Sequence, residues 1–155
     1  MKDFKGIKIL SENKKAYFDY EILEKFEAGM VLSGQEVKSI KSGKISLKSS
    51  YVVFNGQEPF LIGAKVPAYQ PKNAPSDYDP EKSRKLLLKK TEIKHLIGKV
   101  SERGIALIPL KIYVKNAMVK LEFGIAKGRK KFSKKEMIKK RENQREVQRE
   151  LKSRG

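Results

Sequence analysis

The sequence predicts a mainly β protein, with antiparallel strands, short inserted helices and a basic C-terminal tail. Three observations carry that expectation. Residues 49–66 and 105–126 each read as two β-rich runs about a turn containing Asn. The helix signals elsewhere mark short elements only. The residues after 126 hold too few apolar side chains to join a core. About five or six antiparallel strands on so small a body close readily into a barrel. A partly open OB-like barrel is one solution, and the pattern leaves a sandwich open beside it.

Residues 1–12 mix basic and apolar side chains without clear period, predicting a flexible arm that ends in a short strand. Residues 16–23 alternate, with Phe18, Tyr20 and Ile22 on one side and Asp19 and Glu21 on the other, which predicts a half-buried strand. Ser33-Gly34-Gln35-Glu36 is a capping box, Val37 and Ile40 follow at helical spacing, and Gly43 stands where a helix stops. A helix over 34–42 is predicted, with Lys38 and Lys41 on its solvent face. Tyr51-Val52-Val53-Phe54 leads into the turn Asn55-Gly56, and Phe60 to Val66 returns. Pro59, early in the returning strand, predicts a sheet edge.

Four of the six prolines, Pro67, Pro71, Pro75 and Pro80, fall in 67–80, which is read as a loop. Asp79-Pro80 reads as an N-cap with proline at the first helical position, predicting a helix through Arg84-Lys85-Leu86-Leu87-Leu88. Thr91 either starts a second helix or interrupts the first. Ile93, Leu96, Ile97 and Val100 then form a core-facing stripe, closed by Gly104. In the last hairpin, Ala106, Ile108, Leu110, Ile112 and Val114 line one side of the first strand. Val119, Leu121, Phe123 and Ile125 line one side of the second, whose outer face carries Lys120 and Glu122, and Asn116 is central to the turn.

The 155 residues include 36 Lys/Arg against 18 Asp/Glu, a net charge of +18. Residues 127–155 hold 13 of those bases and 4 of the acids, so half the excess sits in that last stretch. Such a distribution predicts a polyanionic partner. The absence of cysteine excludes disulfides and thiolate metal sites, and a single histidine, His95, excludes a His-rich cluster. No apolar run has the ~18–20 residues of a membrane span, and Met1 to Gly6 hold no signal-peptide stretch. A soluble cytoplasmic protein without cofactor is expected. A nuclease or RNA-modifying enzyme fails on inventory, with no acidic cluster for two metals, no His pair and no P-loop.

Ser133-Lys134-Lys135-Glu136 is a second capping box, opening a segment free of Pro and Gly up to residue 152. Arg141, Arg145 and Arg149 recur every four residues as a basic stripe, and Glu142, Glu146 and Glu150 make an acidic stripe about 100° round. Only Met137, Ile138, Val147 and Leu151 are apolar, too few to anchor a helix on a core. The expected tail is disordered when free and helical against a polyanion. As a helix, residues 134–154 span ~31 Å at ~1.5 Å per residue. A solvated tail that only aids solubility is the competing view.

Several strings together carry a family resemblance. Asn13-Lys14-Lys15-Ala16, Phe26-Glu27-Ala28-Gly29 and Gly34-Gln35-Glu36-Val37-Lys38-Ser39 resemble the small protein B family, the SsrA-binding proteins. So do Asp79-Pro80 through Leu88, and Ala126-Lys127-Gly128-Arg129-Lys130 with the basic tail, in the family's order from about residue 10 onward. The resemblance implies an OB-type barrel over 1–130 and a C-terminal tail over 131–155. It implies a non-catalytic adaptor that binds the tRNA-like part of transfer-messenger RNA and delivers it to stalled ribosomes for trans-translation. The tail would fold as a helix in the empty mRNA channel. Partners implied are that RNA, the decoding region of the ribosome and elongation factor Tu, with the protein as a monomer.

On the barrel, Asn13, Glu27, Leu87 and Lys120 match the family's RNA-binding positions, and Lys127, Gly128, Arg129 and Lys130 match its basic hinge. Lys14, Lys15, Lys38 and Lys41 join them as phosphate partners by their own chemistry. In the tail, Ser133, Lys134, Lys135, Arg141, Arg145 and Arg149 are the expected ribosome contacts. Three departures stand out: Gln35 where the family has Thr, Lys82 where it has Arg, and Ser133-Lys134-Lys135 where it has Asp-Lys-Arg. Each position also has a plain structural role to weigh. Lys120 is an ordinary solvated lysine on that view, Leu87 covers a loop, Glu27 pairs with Lys25 or a lysine across the sheet, and Asn13 is a turn residue. His95 is given no role. A general RNA chaperone or ribosomal-type protein remains the alternative to the adaptor.

Overall fold

The computed structural model describes residues 3–4, by backbone alone, and 6–129. The order of elements is β1 (Asp3–Phe4), β2 (Ile7–Glu12), α1 (Lys14–Asp19), β3 (Tyr20–Met30), α2 (Gly34–Lys41), β4 (Tyr51–Asn55) and β5 (Glu58–Ile62). A 3-10 turn (Pro71–Asn73), β6 (Arg84–Leu87), α3 (Lys90–Val100), β7 (Ile105–Lys115) and β8 (Met118–Gly128) follow. The strands form one antiparallel sheet in the order β1-β2-β7-β4-β5-β6-β3-β8, and β8 pairs again with β7. Following β7–β4–β5–β6–β3–β8, the pairings therefore return to the strand they left. Leu61, Leu86, Leu107, Ile112, Leu121, Phe123 and Ile125 meet inside, with Ile40 of α2 and Leu96 of α3 added to the same cluster.

Four expectations are corrected. Residues 1–12 are strand for most of their described length: β1 pairs with β2, and β2 runs beside β7 from Ile7↔Lys115 to Glu12↔Lys111. Residues 16–23 are not one strand. Lys14–Asp19 is a helix, because Ala16 is buried against Ile108, Leu110 and Ala126, and only at Tyr20 does the chain extend. Six residues are too few for helical period to outvote an accidental alternation.

The segment 84–88 is a strand and not a helix. Arg84 and Leu86 are buried while Lys85 and Leu87 face out, which is a period of two. Asp79 Oδ1 accepts from the Glu81 N–H at 2.9 Å, so the supposed cap closes a local turn. Leu86 and Leu87 pair with Met30 and Gly29 of β3, and Arg84 and Lys85 with Leu61 and Phe60 of β5. Helix begins only at Lys90, after Glu92 Oε1 accepts from the Lys89 N–H at 3.2 Å. Finally, β5 lies between β4 and β6 and is not an edge. The β6 pairings reach only Phe60 and Leu61, so Pro59 stands where that side has no ladder to interrupt.

Other expectations hold. Ser33 Oγ accepts from Glu36 N at 3.2 Å, and Glu36 Oε1 accepts from Ser33 N at 2.9 Å, completing the capping box of α2. The α3 stripe holds only in part: Leu96 is fully buried, Ile93 and Ile97 are half-buried, and Val100, in the last turn, is exposed. The β7–β8 turn has positive φ at both Asn116 and Ala117, the twist that joins adjacent antiparallel strands. A register shift between Pro109 and Lys111 breaks the alternation of β7, so Leu107 to Leu110 include consecutive buried residues. Gly124 is required where β8 passes β3: a Cβ there would lie 2.8 Å from Ile22 Cγ2 and 3.0 Å from the Glu24 carbonyl oxygen.

Candidate nucleic-acid interface

The sheet register brings distant residues into one row. Leu87 of β6 pairs with Gly29 of β3, Gly29 with Lys120 of β8, and Lys120 with Tyr113 of β7. Four strands ~4.8 Å apart make this row ~14 Å wide. Gly29 is a close approach, since a Cβ on it would lie 3.3 Å from Leu87 Cβ. The missing side chain lets Leu87, 53% exposed, lie over the sheet as an apolar contact. Glu27, two residues before Gly29 on the same strand, stands on the same side.

Glu27 is held by two groups. The Tyr113 hydroxyl donates to Oε2, and Lys115 Nζ lies 3.5 Å from the same oxygen. The Tyr113 hydrogen bond holds the Glu27 carboxyl below its ordinary 4.5, with partial burial opposing and the charges of Lys115 and Lys120 assisting. Burial, then the bond to Glu27, pushes the Tyr113 hydroxyl up, so it stays a proton donor. The result is a fixed carboxylate beside Lys120, flanked by Leu87. An acceptor of this kind can take a hydrogen bond from a base amino group or a ribose hydroxyl, which phosphate-binding lysines cannot do.

Replacing Tyr113 with Phe should raise the Glu27 carboxyl toward its ordinary value. The expected stability loss is about 1 kcal/mol, at the low end for a bond to a charged group because the carboxylate is partly solvated. The folded carboxyl titrates below the unfolded one, so this stabilisation is present above pH 4.5 and fades as pH falls through the depressed folded value. An NMR titration of the Glu27 carboxyl checks it; an unmoved midpoint would refute the assigned bond.

A second group lies along β7. Asn13 donates from its backbone N–H to the Leu110 carbonyl at 2.8 Å and from Nδ2 to the Pro109 carbonyl at 2.9 Å. Its side chain thus clasps the irregular stretch of β7, more than a turn residue does. Lys14 and Lys15 are exposed in the first turn of α1. A hollow of about 210 Å³ opens beside them, lined by Asn13, Lys15, Lys48, Ser49 and Tyr51 among others.

Not every expected residue joins these groups. Lys38 and Lys41 are exposed on α2, outside the row. Lys127 and Gly128 complete β8 opposite Glu21 and Tyr20, and the Arg129 N–H donates to the Asp19 carbonyl at 3.0 Å, so all three belong to the folded body. Lys130, Ser133, Lys134, Lys135, Arg141, Arg145 and Arg149 lie outside the described residues. His95 Nε2 meets Glu24 Oε2 at 2.9 Å, and its ring lies 6.1 Å from that of Phe26, a surface contact. Lys25 pairs with Glu122 at 3.9 Å, so the partner of Glu27 is the lysine across the sheet. Sequence reasoning missed Gly29, Tyr113, Lys115 and Lys48. Counting back from the Asn116 turn would have paired Tyr113 with Lys120.

Of the two departures within the described residues, one has a local explanation. Gln35 Oε1 accepts from the Tyr69 and Gln70 N–H groups at 2.9 and 3.4 Å, fastening the proline loop to α2. Lys82 contributes only its backbone carbonyl, to Arg84 Nη1 at 2.8 Å, as any residue would, so nothing in the structure explains lysine there.

Known proteins share this architecture and sequence. The SmpB protein family matches residues 10–153. An SsrA-binding protein of Magnetococcus marinus is 49% identical over 146 residues, 94% of this chain and 97% of that protein. One of Thermosynechococcus vestitus is 44% identical over 149 residues, 96% of this chain and 98% of that protein. One of Geobacillus kaustophilus is 46% identical, covering 95% and 94%. Among solved structures, a chain from work on tmRNA-SmpB and the center of the bacterial ribosome aligns with a TM-score of 0.65 at 42% identity, covering 78% of this chain and 85% of that one. With a family match over residues 10–153 and relatives alike over nearly their whole length, the chain belongs to the SmpB family.

Proposed function

We propose that this protein is a non-catalytic adaptor that binds the tRNA-like part of transfer-messenger RNA and delivers it to stalled ribosomes for trans-translation. The circuit of strand pairings is read as an OB-like barrel, whose outer face offers Leu87, Glu27 and Lys120 to one shaped RNA, with the buried Tyr113 holding Glu27 in place. The observation that carries this reading is that row: an exposed apolar side chain, a fixed carboxylate and a lysine within ~14 Å. Apolar contact and a hydrogen-bond acceptor suit unstacked bases and 2′-hydroxyls, whereas a pure lysine surface suits any backbone. Asn13, Lys14 and Lys15 add phosphate contacts at the hollow beside α1. Lys127, Arg129 and Lys130 lead into the tail. Residues 131–155 form a helix in the empty mRNA channel, with Ser133 as its cap and Arg141, Arg145 and Arg149 toward ribosomal RNA. The protein acts in the cytoplasm as a monomer, handed over with elongation factor Tu.

Competition binding tests the reading. At physiological salt the protein should prefer the tRNA-like RNA over bulk RNA, and Lys120→Ala should weaken that binding by about tenfold, ~1.4 kcal/mol. Equal affinity for both RNAs would favour a general RNA chaperone, and an unchanged Lys120→Ala affinity would remove that residue from the face.

A further inference from the structure

Helix α3 keeps an apolar face outside the core. Lys90, Ile93, Lys94 and Ile97 recur at i, i+3, i+4 and i+7, so they share one side of the helix. Ile97 lies one residue, ~100°, round from Leu96, and of these side chains only Leu96 is drawn fully inside. Between this side and Gln57, in the turn from β4 to β5, runs a groove of about 590 Å³. Ordinary binding clefts have volumes of ~300–1,000 Å³. Lys90 and Lys94 are exposed on its wall, and among the described residues neither forms an ion pair. The acids next to the lining residues in sequence are engaged elsewhere. Glu92 Oε1 accepts from the Lys89 N–H at 3.2 Å, and Glu58 pairs with Lys85 at 3.5 Å.

Three properties select the occupant. Ile93 and Ile97 make an apolar floor and Lys90 and Lys94 a basic wall, each pair one helical turn apart, ~6 Å along the axis. No aromatic ring lines the groove, so an RNA base finds no stacking platform there. An extended peptide would bring backbone N–H and C=O groups that α3, already hydrogen-bonded within itself, cannot pair, and Gln57 offers a single side-chain amide. A helix satisfies its own backbone and repeats its side chains at the pitch of the floor and wall.

We infer that this groove docks an acidic amphipathic helix of a partner protein. Apolar side chains four residues apart on that helix meet Ile93 and Ile97, and Asp or Glu four residues apart meet Lys90 and Lys94. None of the lining residues belongs to the row of Leu87 and Lys120, so a protein and an RNA can be held together. The groove's chemistry does not depend on which RNA the other face holds.

The test uses the full-length protein at physiological salt and a synthetic helical peptide with Leu at every fourth position and Glu beside each Leu. A scrambled peptide of the same composition keeps the charge, so it reports attraction to the basic tail alone. The designed peptide should bind at least about tenfold more tightly than the scrambled one. The surface variant Lys90→Glu/Lys94→Glu should lose that preference and gain one for a peptide with Lys in place of Glu, while binding a tRNA-like transcript within about twofold of wild type. Ile93→Thr/Ile97→Thr should lose the preference with its charges intact. Amide NMR shifts on adding the peptide should centre on residues 90–97 and 55–58. A photo-crosslinker at position 57, activated in the native cells, should attach to a protein segment that mass spectrometry reads as acidic and amphipathic. Equal binding of both peptides, a preference that survives the charge reversal, loss of transcript binding, or a crosslink to RNA would each overturn the inference.

Discussion

Replacing Arg84 with Met is expected to cost about 3–5 kcal/mol of folding stability, the penalty for stranding one member of a buried ion pair. Arg84 is 2% exposed and Glu36 4%. The Arg84 Nε donates to Glu36 Oε2 at 2.5 Å, and its other nitrogens donate to the carbonyls of Ala64 at 3.0 Å, Lys82 at 2.8 Å and Pro80 at 3.0 Å. One guanidinium thus ties α2, the exit of β5, the proline loop and the start of β6 together. Met fills the volume but leaves the Ala64 and Lys82 carbonyls and Glu36 Oε2 without that donor, while the Pro80 carbonyl keeps the Val66 N–H at 2.9 Å.

The effect has a pH signature. Burial pushes the Glu36 carboxyl up, but the Ser33 N–H and Arg84 together outweigh it and hold the carboxyl below its ordinary 4.5. A depressed folded value stabilises above the unfolded one and loses that contribution as pH falls through the folded one. The gap between wild type and variant should therefore be widest near neutrality and narrow below about pH 4.5. Without the guanidinium, burial favours a protonated Glu36. Denaturant unfolding at pH 7 and in acid measures both points. Adding Glu36→Leu to the Arg84→Met variant should recover part of the loss. A single-variant loss under about 1 kcal/mol would mean the clamp does not hold these elements.

Deleting residues 133–155 should abolish tagging on stalled ribosomes while leaving affinity for the tRNA-like RNA within about twofold. The deleted stretch carries 9 Lys/Arg against 4 Glu. Its few apolar residues provide no core of their own, so on the adaptor reading it orders on ribosomal RNA and not on the barrel. The face with Leu87, Glu27 and Lys120 lies wholly in the described body and should not depend on it. Tagging assays on ribosomes stalled without a codon in the A site give the first measurement, and filter binding the second. Continued tagging would remove the tail from the mechanism. Lost RNA binding would move it to the first RNA.

Much of the fold is legible wherever the signal is local. The Asn116 turn sets the register of β7 with β8, and Ser33 with Glu36 sets the start of α2. Legibility fails where a partner far along the chain decides. Leu86, Leu87 and Leu88 after Asp79-Pro80 suit a helix by local propensity, yet pairing with Met30 and Gly29 makes a strand. Burial then alternates, so Leu86 goes in and Leu87 comes out. Ala16 offers no signal of its own until Ile108, Leu110 and Ala126 form the seat that makes its segment a helix.

The candidate interface divides the same way. The family resemblance picks out Glu27, Leu87 and Lys120 one at a time, but three chain segments must meet before they form a surface. Tyr113 looks like an ordinary strand residue until the register sets it beside Lys120 and within a hydrogen bond of Glu27. Charge, by contrast, is a property of composition. The polyanionic partner, the lack of metal-ligand clusters in the sequence and the striped tail can be stated from residue order alone. Only the tertiary structure decides which lysines stand together without acids. That depends on Glu36 being drawn inside by Arg84, 48 residues away, which leaves the surface of α2 to lysines alone.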